Sequence, residues 1–412
     1  MQIDTPATPV TLDGTSTSAS QWLSVVAVAI SAFAFVTAEF LPVGLLPQIA
    51  HDLGVSTGVA GLMVTTPGVL AAISAPMLIV GAGRMDRRYV FLLLTAVLLI
   101  ANVLCAIAPN LPVMLVGRAL LGAALGGFWT LATAAAPRLV QGKDAARATA
   151  TILTGVTCAT VAGVPLGTFI ASFSSWRFAF AATAGLVALA LVAQALLVPS
   201  LPSASALRLA DFKKLFGRSH TRLSMLMVAL VFGAHFSTYT YIAPLLENDF
   251  SLSAITLLLF GFGLIGFFSN ALTSTVISGH LKKSVAAMVL LLLAAMSSML
   301  LLEHSPIGET VGMLLWGIAF GALPLCFSVW IQRDTTDLPE AGSAMFVSVI
   351  QVAIAMGSAV GGTIVDRAGV HADFLLGLAL ALLGLATLQR LAASQRQSAR
   401  ASLDCSCDSS ME

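Results

Sequence analysis

Residues 22–47 read WLSVVAVAISAFAFVTAEFLPVGLLP, an apolar run broken by a single charge, Glu39. A bilayer core takes roughly 20 residues of helix, so this run is long enough to cross one. Eleven further apolar stretches follow, at 57–80, 89–108, 111–136, 146–171, 176–198, 223–246, 255–278, 284–302, 308–332, 341–365 and 372–392, with short polar breaks between them. The pattern predicts an all-α membrane protein of twelve transmembrane helices. Composition agrees, with 58% hydrophobic and 9% charged residues, against about 25% charged in an ordinary soluble domain. The net charge of +1 and the lack of a basic patch interleaved with aromatics exclude nucleic acid as an expected partner.

Basic residues set the expected orientation. Only Arg177 and Arg367 fall in the loops on one side and Arg118 within a span; the other Lys and Arg lie on the side of the two termini. By the positive-inside rule that side is cytoplasmic. The opposite loops carry acids, Asp366 and Asp373 among them, which inform topology little. Residues 1–20 hold no Lys or Arg, so they read as a cytoplasmic tail rather than a signal peptide. Trp22 and Trp176 stand at span starts, where interfacial Trp is expected. Cys405 and Cys407 sit in the C-terminal tail, and two ligands do not make a metal site.

The longest internal break, 199–222, divides the chain into an N-terminal half (21–198) and a C-terminal half (223–392), followed by a tail at 393–412. The halves echo each other. Pro47, Asp52 and Ser56 recur at the same spacing as Pro244, Asp249 and Ser253, and Gly163/Gly167 in the fifth span have a counterpart in Gly357/Gly361 of the eleventh. Two repeated six-helix halves are a transporter architecture, with substrate bound between them near the midplane.

Two charges lie well inside spans, Glu39 and Arg118. Each costs about 2.5–3.5 kcal/mol at a helix centre, so each needs a partner or a wet cavity. Both fall roughly 10–12 Å below the same surface, deep enough to pair. Glu39 could carry a proton with Arg118 tuning it, or the two could form a static ion pair. His235 in the seventh span could carry a proton, bind substrate or serve as a packing histidine. Trp129 and Thr133 share a face with Arg118 on the fourth span, and Trp316 and Phe320 share one on the tenth. Such faces suit a flat solute, or they pack. Tyr239 and Gln351 are further substrate-binding candidates at depth. Gly261, Gly263 and Gly266 match G-x-G-x-x-G but lack the strand that nucleotide binding needs, so they read as helix packing. No hydrolase, zinc-protease or P-loop motif is present; no catalytic residue, metal or cofactor is expected.

The chain from about 22 to 392 resembles the major facilitator superfamily, and within it the twelve-helix drug:proton antiporters. The resemblance is carried by Ala38–Ala50, by Gly83-Arg-Met-Asp-Arg-Arg88, by Gly117–Gly122, by Gly163-Val-Pro-Leu-Gly167, by Gly126–Trp129 and by Tyr241–Pro244. The last two are most similar to bacterial purine ribonucleoside and sugar efflux proteins. The resemblance implies a monomer in the bacterial inner membrane, in contact with lipid, that exports a small molecule in exchange for protons and is driven by the proton gradient alone. A purine nucleoside or analogue is favoured; sugar or multidrug efflux and a proton-independent facilitator are the alternatives. It also implies that the first, fourth, seventh and tenth spans line the cavity, and that Gly83, Asp86, Arg87 and Arg88 form a latch in the outward-facing state, Asp86 meeting the amino end of the eleventh span near Gly342. Gly163, Pro165 and Gly167 correspond to the antiporter motif of the fifth span. Two departures stand out: Ala82 replaces a glycine of the latch motif, and Val164 separates Gly163 from Pro165.

Overall fold

The computed structural model describes residues 18–82, 85–140, 144–202, 209–302 and 304–408, with side chains to residue 393 except at a few helix positions, 130 and 133–138 among them. Gly83, most of the N-terminal tail and the side chains of Thr133, Cys405 and Cys407 therefore lie outside the described residues. Among those described there is helix and no strand.

The first span is α1 (Ala19–Phe40), a 3-10 turn (Leu41–Leu45) and α2 (Leu46–Leu53). Ser18 and Gln21 form a capping box that starts it. Pro42 lacks an N–H and breaks the helix at the turn, and Gly54, at φ 63°, ends it in the left-handed region that favours glycine. The second span is α3 (Thr57–Ala60) with α4 (Leu62–Gly81). Single helices follow: α5 (Arg87–Ala106), α6 (Leu111–Leu139), α7 (Ala145–Phe173) and α8 (Trp176–Leu197). A short α9 (Leu209–Gly217) leads to the seventh span, which is broken like the first, into α10 (Ser219–Tyr239) and α11 (Ile242–Leu246).

Two long helices then contain two spans each. α12 (Leu252–Leu301) turns at His280, and α14 (Pro339–Asp408) turns at Gly369, where φ is 83°. Between them lies α13 (Pro306–Asp334). The described residues give 11 candidate spans, of which one, Ala341–Ala393, is 53 residues long. As a straight helix that would measure about 80 Å, more than twice a bilayer core. The break at Gly369 makes it two, so the eleven candidates hold twelve crossings. α14 continues as helix beyond the predicted end of the last span at 392.

Small residues set the packing. Gly163 and Gly167 of α7 press on Thr37 and Leu41 of the first span, while Gly357 and Gly361 of α14 press on Gly233 and Ser237 of α10. The fifth span thus meets the first as the eleventh meets the seventh, which is the internal repeat expressed in contacts. Gly263 sits on Val161 of α7 and Gly266 on Gly321 of α13; the G-x-G-x-x-G run is helix packing, as predicted. The Pro-Asp-Ser echo is less exact. Ser56 caps α3, but the cap of α12 is Ser251, not Ser253.

Candidate functional site

Arg118 is wholly buried, and its partners are set by two prolines. In an unbroken helix the carbonyls of Ala38 and Met63 would accept from the N–H groups of residues 42 and 67, which are Pro42 and Pro67 and have none. Arg118 supplies the missing donors: Nη1 to the Ala38 carbonyl and Nε to the Met63 carbonyl, both at 2.6 Å. Nη2 donates to the Glu39 carbonyl, also at 2.6 Å, where the helix enters its 3-10 turn. Arg118 thus makes its hydrogen bonds to the backbone of Glu39 and its neighbours and not to the Glu39 carboxylate, because carbonyls in an apolar core, two of them orphaned by proline, demand donors more strictly than a side chain that can turn elsewhere.

The Glu39 side chain does turn elsewhere. It is buried, 5% exposed, and its Oε1 accepts from Nε2 of Gln351 on α14 at 3.1 Å. Two residues predicted separately, one for protons and one for substrate, thus meet across the two halves. Beside them the ring of Phe40 stacks on Phe236 of α10, centroids 5.6 Å apart.

The C-terminal half holds an aromatic cluster at this level. Nε1 of Trp316 donates to Nδ1 of His235 at 2.9 Å. An imidazole that accepts at Nδ1 is neutral and carries its proton on Nε2. The ring lies flat on Phe320 and on Tyr239, with centroids at 3.3 and 4.8 Å. His235, Trp316 and Tyr239 are buried and pack on one another in this closed arrangement. Trp129 and Phe320 are half-buried and remain accessible candidates for stacking on a flat solute.

The halves close against each other at the face away from the termini. Asp366 on α14 accepts from the Ser56 hydroxyl at 2.5 Å and from the Gly58 N–H at 2.8 Å. A carboxylate thus sits on the amino end of α3, where orphan N–H groups and the helix dipole favour it. The Tyr241 hydroxyl donates to the Ser358 carbonyl at 2.8 Å and lies against Gly58, and Ser358 Oγ donates to the Gly61 carbonyl at 3.1 Å. Thr256 of α12 donates to Thr168 of α7 at 2.9 Å. These contacts run from the rim at Ser56 inward to Glu39 and Gln351.

At the terminal face Asp86 does not meet the amino end of α14 near Gly342. It caps α5 through the Arg88 N–H at 2.9 Å, accepts from the Leu201 N–H at 2.8 Å and binds the Ser200 hydroxyl. With the far face shut, the Asp86 carboxylate is thus satisfied by its own helix end and by the start of the central connection. Arg88 donates to the Ala195 carbonyl at 2.7 Å, and the Arg87 N–H to that of Leu201. Across the molecule, Arg218 makes a two-pronged contact with Asp337 at 2.8 and 2.5 Å, joined by Lys214 at 3.4 Å. Each end of the central connection is therefore docked on its own half. Hydrogen bonding from Ser200 holds Asp86 below the usual carboxylate range, and the Arg218 guanidinium holds Asp337 far below it.

Sequence reasoning missed Asp366 and Tyr241 as closing residues and left Asp373 among the outer-loop acids, although it is fully buried. The signal for Arg118 was present in Pro42 and Pro67, which name two of its three partners.

Comparison with known proteins agrees with this architecture. The family model for the Major Facilitator Superfamily matches residues 28–347. A Pseudomonas aeruginosa protein named transcription regulatory protein OpdE is 36% identical over 371 residues, covering 88% of this chain and 92% of that protein. The purine ribonucleoside efflux pump NepI of Salmonella paratyphi B is 33% identical over 364 residues, with the same coverage of 88% and 92%. Among solved structures, the nucleoside transporter NupG superposes with a TM-score of 0.70 over 90% of this chain and 98% of its own at 14% identity. The human organic anion transporter MFSD10 does so at 0.68 over 89% and 99%, with 19% identity. At those identities the superpositions speak for the fold alone. The chain belongs to the Major Facilitator Superfamily, and lies close within it to proteins named as purine ribonucleoside efflux pumps.

Proposed function

We propose that this protein exports a small solute, a purine nucleoside or analogue, in exchange for protons by alternating access. It acts from the bacterial inner membrane with both termini cytoplasmic. The observation that carries the reading is the Glu39–Gln351 hydrogen bond. A buried carboxyl on the first span touches the opposing half in the arrangement that closes the far face, so a change in its charge would bear on closure. Arg118, committed to three carbonyls, holds the broken first span in place and leaves proton exchange to Glu39. The half-buried rings of Trp129 and Phe320 are suited to a flat heterocycle, and the names of the NepI relatives favour nucleosides over sugars or cationic drugs. Loops rich in Arg and Lys on the side of the termini support the orientation.

Uptake of labelled nucleosides, sugars and cationic drugs into proteoliposomes under an imposed pH gradient tests this. Gradient-driven accumulation of a nucleoside is expected, and Glu39→Gln should reduce it to equilibration while the protein stays folded. Flux that ignores the gradient would assign a facilitator, with Glu39 in a packing role. The OpdE relative favours a second reading, a membrane sensor; that reading predicts saturable binding with no flux of any member of the panel.

A further inference from the structure

Asp373 opens the last span, four residues past the break at Gly369 in α14. It is 0% exposed, and neither carboxyl oxygen has a hydrogen-bond partner. Glu309, the other buried acid near this face, lies beside Asp249 and His304. Asp373 has no hydrogen-bonded neighbour of that kind. It lies against Gly361 and beside Ser237 of α10, and the next residue, Phe374, packs edge-on to Trp316. The titratable groups near it are Tyr241 at the α10–α11 junction and Asp366 and His371 on its own helix. The facing residues one turn deeper, Thr238 of α10 and Met296 of α12, carry no charge.

An isolated carboxylate is not sustained in so apolar a place. The cover over Asp373 borders the closure. Gly361 adjoins Gly362, whose Cα side faces Gly58 of α3 and the Tyr241 hydroxyl. We propose that parting the halves at the far face admits water to this corner and that Asp373 is a second proton-binding site, holding a proton while the far face is closed and releasing it when that face opens. The proposal rests on the alternating-access reading and is independent of whether Glu39 couples transport.

The test uses spin labels at His51 and Arg367, which flank the far face, on the full-length protein in nanodiscs, with the distance between them followed against pH. In the Glu39→Gln background the far face should open as pH rises, because Asp373 still titrates. Adding Asp373→Asn, which fixes the neutral form at matched shape, should abolish the opening as pH rises. Asp373→Glu, which keeps an acid, should retain the opening with a displaced midpoint, and decides the matter if the asparagine variant does not fold. Equal pH responses with and without Asp373→Asn, or an unshifted midpoint in Asp373→Glu, would overturn the proposal. Unaltered gradient-driven transport in Glu39→Gln alone would instead overturn the role of Glu39 and leave this one standing.

Discussion

The two halves break their leading spans at the same place and mend them differently. In the N-terminal half the break at Leu41–Leu45 is held by a cation, Arg118, whose donors serve carbonyls on two spans. In the C-terminal half the break after Tyr239 sits beside stacked rings, with the Tyr241 hydroxyl reaching the Ser358 carbonyl and the His235–Trp316 bond inside the stack. One fold plan thus carries a charged heart and an aromatic one. A guanidinium offers five fixed donors and can staple several strands of backbone at once. Rings offer area and stacking in place of donors.

Arg118→Ala tests the contrast most severely. Three buried carbonyls lose their donors at about 1–3 kcal/mol each, so a loss of at least about 3 kcal/mol is expected, no smaller than that of breaking a buried charged contact. Thermal unfolding in detergent reads it. A loss below that of the aromatic variants would remove the distinction between the halves. Trp316→Phe deletes the indole donor to His235 and shrinks a fully buried ring, and should cost about 2–3 kcal/mol, measured in the same way. Asp366→Asn keeps the shape of the rim contact and removes its charge from the amino end of α3. It should weaken far-face closure by about 0.3–1 kcal/mol, visible as a longer His51–Arg367 label distance in part of the population.

The smallest effect concerns acidity at the terminal face. Asp86 and Asp337 are both held below the ordinary carboxylate range in the folded protein. A group with a depressed pKa stabilises the folded pairing above its unfolded value, and the stabilisation is lost as pH falls. Both docking contacts should therefore hold at neutral pH and loosen below about pH 4, raising the protease sensitivity of residues 199–222. Cleavage that does not depend on pH would show that the connection is docked by its apolar residues, such as the buried Leu215.

Much of this was legible in the sequence because the bilayer imposes a length on every span and a demand for donors on every carbonyl. The apolar runs fixed twelve crossings, and the glycine pairs at 163/167 and 357/361 announced the repeat. Depth placed Glu39 and Arg118 at one level but could not tell a carboxylate partner from a carbonyl one, since that choice depends on which backbone groups the prolines leave open. Gln351 meets Glu39 only through the docking of two halves more than three hundred residues apart in the chain, and no local pattern encodes that contact. Asp373 was misplaced for a related reason: a polar residue at a predicted boundary is read as solvent-facing, yet α14 turns at Gly369 and carries it beneath its own preceding helix.

The docked central connection also has the consequence of a tether. One end is clamped at Leu201 and the other enters the packed α9 at Leu209. The chain between them reaches at most roughly 27 Å when drawn taut. While both clamps hold, that length is a mechanical stop on how far the halves can swing apart at the terminal face. Deleting three residues there would draw the stop in by roughly 10 Å and cap the opening without touching any residue of the cavity.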